Sequence, residues 1–183
     1  SELGAGLLEL AQLAKSYGIG LTIDAEETDR LELSLDLIFQ VLGDDSLRDW
    51  NGFGIVVQAY QKRAIFVIEW LTDLARKTNR KLMVRLVKGA YWDTEIKTTQ
   101  QDGLDHFPVF TRKASTDVSY KACAIKLLEA RDVLYPQFAT HNAYTAATIL
   151  EVAKGDHNGF EFQRLHGMGE SLFDQIVGSE KIQ

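Results

Sequence analysis

Leu82-Met83-Val84-Arg85-Leu86-Val87-Lys88-Gly89 is the stretch on which the fold of this 183-residue chain turns. Its apolar residues run almost unbroken, as a parallel strand should, and a glycine closes it. One cation, Arg85, sits among them. Side chains alternate along a strand, so Arg85, Val87 and Gly89 share one side. A guanidinium left unpaired in such a place costs on the order of several kcal/mol. Arg85 is therefore either half of a structural ion pair, with Asp24 or Glu26, or a fixed charge facing a ligand. Gly89, on the same side, would let a ligand approach the backbone.

Helical and strand signals alternate on both sides of this segment. Residues 2–17 space Leu7, Leu8, Leu10, Leu13 and Ala14 at helical intervals, and Gly18 and Gly20 stop them. Leu21 to Ala25 reads as a short strand and residues 27–42 as a helix with Leu31, Leu35, Leu37, Ile38 and Leu42 on its stripe. Gly54 to Ala59 is a strand, and residues 62–78 a helix burying Ile65, Ile68, Leu71 and Leu74. After Leu82–Gly89 comes a long polar segment, Ala90 to Asp117, with turn formers, aromatics and Pro108. The remaining pattern is helix 118–133, strand Gln137–Thr140, helix 144–153, strand Phe160–Leu165 and helix 170–177.

Each predicted strand is followed by a helix at a repeat of roughly 25–35 residues, as in βα units with parallel strands. A closed (β/α)₈ TIM barrel needs about 250 residues, so about five βα units of an incomplete barrel are expected. An open doubly wound sheet has the same alternation. Element order alone leaves both architectures open.

Bulk properties narrow the function. The chain is 45% hydrophobic and 25% charged, with a formal net charge of -6, a profile that suits one globular domain. An acidic balance argues against nucleic acid as the main partner, because phosphate binding needs clustered Lys and Arg. The single cysteine, Cys123, permits neither an intrachain disulfide nor a cysteine metal site, and fits a reducing compartment. No apolar run approaches the roughly 20 residues of a membrane span. The N-terminus does not read as a signal peptide.

Polar residues cluster where the strands end: Asp24, Gln58, Arg85, His141-Asn142 and Arg164 to His166. In a barrel that end carries the active site. Each residue also has a plainer reading. Glu26, Glu27 and Asp29 suit a helix N-terminus, whereas Asp24 would line a site or pair with Arg85. Asn142 caps a helix, or Thr140, His141 and Asn142 together bind a polyol or phosphate. Lys88 is ion-paired or solvated, or it is a Schiff-base lysine of a TIM-barrel lyase. Tyr91 and Trp92 wall a flat ligand or simply pack. His166 reads as a loop histidine, no paired histidines support a metal, and Gly167-Met168-Gly169 lacks the third glycine of a dinucleotide fingerprint because Leu172 stands there.

The stretches TIDAEE (22–27), VVQAY (56–60), RLVKGAYWDTEIK (85–97), FPVFTRKASTDVSYKACAIKLL (107–128), YPQFATHN (135–142) and FEFQRLHGMGE (160–170) together resemble the proline dehydrogenase domain of the bifunctional proline utilization A family. The resemblance implies a (β/α)₈ barrel that holds FAD without a Rossmann fold. It implies oxidation of L-proline to Δ1-pyrroline-5-carboxylate, with hydride passing from the ring carbon beside nitrogen to the flavin and electrons passing on to a quinone. It assigns Arg85, Asp24 and Tyr91 to catalysis. It assigns Gln58, Arg85, Val87, Gly89, Trp92, Thr111, Lys113, Thr140, His141 and Asn142 to the cofactor, and Asp24, Tyr91 and Leu165 to the proline pocket. No metal is implied.

The same resemblance makes residues 1–183 a domain fragment holding barrel strands three to seven. The first two strands, the last strand and the last helix, which carries the arginines for the substrate carboxylate, are then missing. A sheet with two open edges is expected to fold poorly and not to turn over proline alone. Aldehyde dehydrogenase activity and DNA binding would lie outside this chain. A cytoplasmic location is expected, with peripheral membrane association through the parent protein.

Overall fold

The structure, a computed structural model, describes residues 2–180. Its strands are β1 (Leu21–Ile23), β2 (Phe53–Gln58), β3 (Leu82–Val87), β4 (Leu134–Ala139) and β5 (Glu161–Gln163). Its α-helices are α1 (Glu2–Ser16), α2 (Leu31–Leu42), α3 (Ala64–Thr78), α4 (Trp92–Gln101), α5 (Lys113–Glu129), α6 (Ala143–Ala153) and α7 (Glu170–Glu180). The five strands form one sheet in the order β1-β2-β3-β4-β5, every neighbour parallel. A doubly wound sheet reverses its strand order where it changes face. This sheet never reverses, so the architecture is a partial (β/α)₈ barrel.

Strand alternation sorts the side chains onto two faces. Leu82, Val84 and Leu86 of β3 are buried, whereas Met83, Arg85 and Val87 between them are half-buried. The first three share a core with Ile55 and Val57 of β2, Leu71 of α3, and Tyr120 and Leu127 of α5. Burial of this apolar face, at about 25 cal/mol per Å², is the main force holding helices to sheet. Arg85 and its neighbours are left on the inner face.

Two contacts fix how closely the strands approach. A Cβ at Gly54 would lie 2.8 Å from the Met83 carbonyl and 2.9 Å from the Met83 Cβ. The Tyr120 hydroxyl, fully buried, donates toward the Leu86 carbonyl at 3.3 Å and the Ala139 carbonyl at 3.2 Å. It therefore ties α5 to the ends of both β3 and β4. Burial pushes the tyrosine pKa far up, so it remains a donor.

Several boundaries differ from those predicted. The polar segment 90–117 contains α4, which buries Glu95 and Thr99 rather than an apolar stripe; hydrophobic periodicity carries no signal for such a helix. Helix α5 begins at Lys113 rather than residue 118, because the mostly polar residues 113–117 offer no apolar period to read. Strand β4 begins at Leu134 and contains Pro136. Leu82 N–H bonds the Val133 carbonyl on one side of β4, and Thr140 N–H bonds the Gln163 carbonyl on the other. Alternation puts Pro136 on the β5 side, before β5 begins opposite Gln137, so its missing N–H interrupts no ladder. Strands β1 and β5 are shorter than expected, which places Asp24 and Leu165 in loops.

Gly54→Val should lower the unfolding free energy by at least about 1–3 kcal/mol, the range for overpacking, read as a lower urea midpoint. Burial pushes the Cys123 thiol up to about 11. It should therefore resist a thiol-specific disulfide reagent at pH 8 in native protein and react promptly in denaturant.

Candidate active-site groove

A groove of about 1000 Å³ opens at the carboxyl ends of the strands, lined in part by Asp24, Gln58, Arg85, Thr140, His141 and Leu165. That size is at the upper end of the range for small-molecule and cofactor sites. Val56, Val87, Gly89, Asn142, Gln163 and Arg164 complete much of its wall. The strand-end residues singled out from sequence, His166 excepted, thus converge on one cavity.

Arg85 is its central charge. It forms no ion pair with Asp24 or Glu26 among the described residues. Its Nε donates to Gln163 Oε1 at 2.7 Å. Gln163 Nε2 in turn donates to Glu161 Oε1 at 2.6 Å, and Gln137 Nε2 donates to the same oxygen at 2.9 Å. Tyr135 completes the set through a long 3.4 Å bond to Glu161 Oε2. Burial, then the Glu161 carboxylate, raises the Tyr135 pKa, which keeps it a donor. Neither terminal nitrogen of Arg85 has a hydrogen-bond partner among the described residues. Two charged NH2 groups, with four N–H donors between them, therefore remain for the groove that Arg85 lines. The carboxylate and amides on β4 and β5 escaped sequence reading, although Glu161 between Phe160 and Phe162 is as anomalous as Arg85 among its own neighbours.

The loops around the groove are stapled to one another. Gln58, almost fully buried, donates from Nε2 to the Glu26 carbonyl at 2.7 Å and accepts at Oε1 from Ala90 N–H at 3.1 Å. It thereby holds the loops after β1 and β3 together. Glu95 of α4 accepts from Thr28 N–H at 2.6 Å and Thr28 Oγ1 at 2.8 Å. Arg63 reaches the Thr28 carbonyl and pairs with Glu32 at 3.1 Å. Gly89 has φ +138°, and a Cβ there would fall 2.5 Å from the Tyr60 ring. The missing side chain leaves room for the Tyr60 ring, and Gly89 itself lines the groove. Burial and the nearby Glu95 charge push the Tyr60 pKa up to about 12.

At the next strand end the capping reading of Asn142 holds. Its Oδ1 accepts from Thr145 N–H at 2.9 Å at the start of α6. Thr140 Oγ1 accepts from Asn142 N–H at 3.1 Å, and His141 Nε2 accepts from Leu165 N–H at 3.2 Å. These bonds fix the floor of the groove beside the amino end of α6. Lys88 is ion-paired with Asp117, which also binds Lys113 at 2.8 Å. The hydrogen bonds from Lys113 and then Lys88 hold the Asp117 pKa below its ordinary value. An ammonium so engaged is a poor amine nucleophile.

Other predicted site residues stand apart from the groove wall. Trp92 N–H donates to the Phe110 carbonyl at 2.9 Å, and the side chain is 41% exposed. Tyr91 precedes α4, Thr111 is exposed, and Lys113 serves Asp117. Asp24 lines the groove, its Oδ1 accepting from Ala25 N–H at 2.9 Å. Among the described residues no cluster of three or more His, Cys, Asp or Glu could hold a metal, and no helix is long and apolar enough to cross a membrane.

Comparison with known proteins gives this groove a family. A family model described as proline dehydrogenase matches residues 5–183. The bifunctional protein PutA of Klebsiella aerogenes is 56% identical over 179 residues, covering 97% of this chain and 14% of that protein. The PutA of Rhizobium meliloti is 58% identical over 175 residues, 94% of this chain and 14% of that protein. Proline dehydrogenase 1 of Bacillus subtilis is 29% identical over 167 residues, 88% of this chain and 47% of that protein. A crystal structure of a Bradyrhizobium japonicum proline utilization A mutant superposes with TM-score 0.94 at 63% identity, covering 97% of this chain and 18% of that one. Proline utilization A from Bdellovibrio bacteriovorus, inactivated by N-propargylglycine, superposes with TM-score 0.93 at 34% identity, over 97% of this chain and 19% of that one. The chain spans about one-seventh of the length of the PutA relatives it matches. With the family model matched from residue 5 to residue 183, this chain belongs to the proline dehydrogenase family.

Proposed function

We infer that this chain forms part of an FAD-dependent proline dehydrogenase that oxidises L-proline to Δ1-pyrroline-5-carboxylate and delivers the electrons to a quinone. The observation that carries the reading is the Arg85 guanidinium, held through Nε with both terminal nitrogens open to the groove. FAD, when bound, supplies the two-electron acceptor for the hydride that leaves the proline ring carbon beside nitrogen. The residues present fit such a group. The groove wall brings Arg85 together with Thr140, His141 and the amino end of α6. The first suits an electron-rich ring and the second suits a phosphate or polyol.

Each residue then has a task. Arg85 holds positive charge where negative charge develops during reduction. Val56 and Val87 offer apolar wall, and Gln58 fixes the loops that border it. Asp24 and Leu165 face the space left for a small ring and its ammonium. Tyr91, Trp92, Thr111 and Lys113, which stand outside the groove wall, belong to the site in this reading only as the family resemblance assigns them. N-propargylglycine, which inactivated the Bdellovibrio bacteriovorus relative, shares proline's secondary amine and carboxylate. That similarity supports an amino acid of this shape as substrate.

The 14% coverage of the PutA relatives suits a larger parent, with an aldehyde dehydrogenase activity elsewhere, a cytoplasmic location and peripheral contact with a quinone-bearing membrane. The outer sides of β1 and β5 have no strand partner among the described residues, and α1 leaves Leu3, Leu10 and Leu13 exposed, as is Tyr17 just after it. Both features fit further βα units of a complete barrel, with this chain supplying strands three to seven.

In the full-length protein, Arg85→Ala should cut kcat/KM for L-proline by about 100- to 1000-fold, as loss of a charge-stabilising donor does. Steady-state turnover with a quinone analogue reads this; an unchanged value would remove Arg85 from the chemistry. Expressed as residues 1–183, the chain should take up FAD far more weakly than the full-length protein in an absorbance titration. Equal affinity would show that the groove needs no further barrel units.

A further inference from the structure

We propose that Glu161 is a positioning residue for Arg85, acting through the Gln163 amide; this rests on the reading of Arg85 as the charge that serves the groove. An amide can face either way, with oxygen or nitrogen toward Arg85 Nε. Only the oxygen accepts a proton from Nε. Glu161 removes the ambiguity. Its Oε1 lies 2.6 Å from Gln163 Nε2, and a carboxylate can only accept, so it selects the nitrogen and turns Gln163 Oε1 toward Arg85.

Glu161 is itself held in place. Gln137 Nε2 donates to the same oxygen at 2.9 Å, and Tyr135 approaches Oε2 at 3.4 Å. Both donors stand on β4, the strand between Glu161 and Arg85. The direction of the hydrogen bonds is thus set in sequence: carboxylate, then amide, then guanidinium. Its effect is to fix the Nε edge of Arg85 against the sheet and turn the other two nitrogens outward. Glu161 does not line the groove, so its influence on the reaction is indirect.

The test compares variants of the full-length protein by two readouts: the reduction potential of the bound flavin, and kcat/KM with L-proline. Glu161→Ala should lower the potential in the same direction as Arg85→Ala and reduce kcat/KM about 10- to 100-fold, the range for loss of an orienting partner. Glu161→Gln retains an oxygen that can accept from Gln163, and should recover most of that loss. Gln163→Met removes the acceptor with little change of volume and should reproduce Glu161→Ala. It decides the matter if Glu161→Ala fails to fold. Wild-type potential and rate in a folded Glu161→Ala or in Gln163→Met, with both lowered in Arg85→Ala, would overturn the positioning role alone. If Arg85→Ala changes neither readout, the underlying reading of Arg85 falls first. Loss in Glu161→Gln as deep as in Glu161→Ala would also overturn the role, since charge rather than orientation would then be at work.

Discussion

A guanidinium on the inner face of a parallel sheet needs a hydrogen-bond acceptor that does not come from its own strand ladder, and Arg85 obtains one from Gln163. The bond spans from β3 to β5 across the intervening strand and joins residues 78 apart in sequence. It exists only if the three strands are parallel, adjacent and in the observed register. Arg85 lies opposite Gln137, and Gln137 lies opposite Glu161. A one-residue slip in either pairing would turn the inner residues toward the helices. It would bury a charge in the cluster of Leu71, Tyr120 and Leu127. The polar inner face therefore specifies register, while the apolar outer face supplies most of the stability.

The same division governs the loops. A barrel places its ligand among segments that would otherwise be free to move. Here Gln58 and Glu95 satisfy backbone groups on loops that are distant in sequence. Both side chains are buried, and breaking either would leave polar backbone without its partner, at about 1–3 kcal/mol. Tyr60 fills the hollow beside Gly89 and fixes the turn that leaves β3. The groove is thus bordered by a network formed before any ligand arrives, and preorganisation is what gives a fixed charge such as Arg85 its value.

How much of this was legible in the sequence depended on the kind of force involved. Strands β2 and β3 and helices α2 and α3 follow apolar patterns, and those patterns are local. The resemblance carried by RLVKGAYWD and YPQFATHN located the same strand ends that the polar residues Arg85, His141 and Asn142 did. Helix α4 was illegible because its buried positions are Glu95 and Thr99, which bind Thr28 and the helix backbone rather than apolar partners. The start of β4 was hidden by Pro136, whose tolerance depends on where β5 begins. The partner of Arg85 was illegible for a related reason. Opposite charge suggested Asp24 or Glu26, whereas geometry across two strand pairings selected a neutral amide.

That choice of a neutral amide has an electrostatic consequence. Two unit charges 4 Å apart attract by about 4 kcal/mol at an effective dielectric constant of 20, and by half that at twice the distance. A carboxylate in direct contact with Arg85 would therefore fix it firmly but cancel much of its field in the groove. Placing Gln163 between them keeps the orienting effect of Glu161 and moves its countercharge a residue away. Gln137 and Tyr135, on the intervening strand β4, also donate to the carboxylate, which further lowers its demand on the cation. An ion pair would have held Arg85 as a structural element; the amide holds it as a charge still available to a ligand.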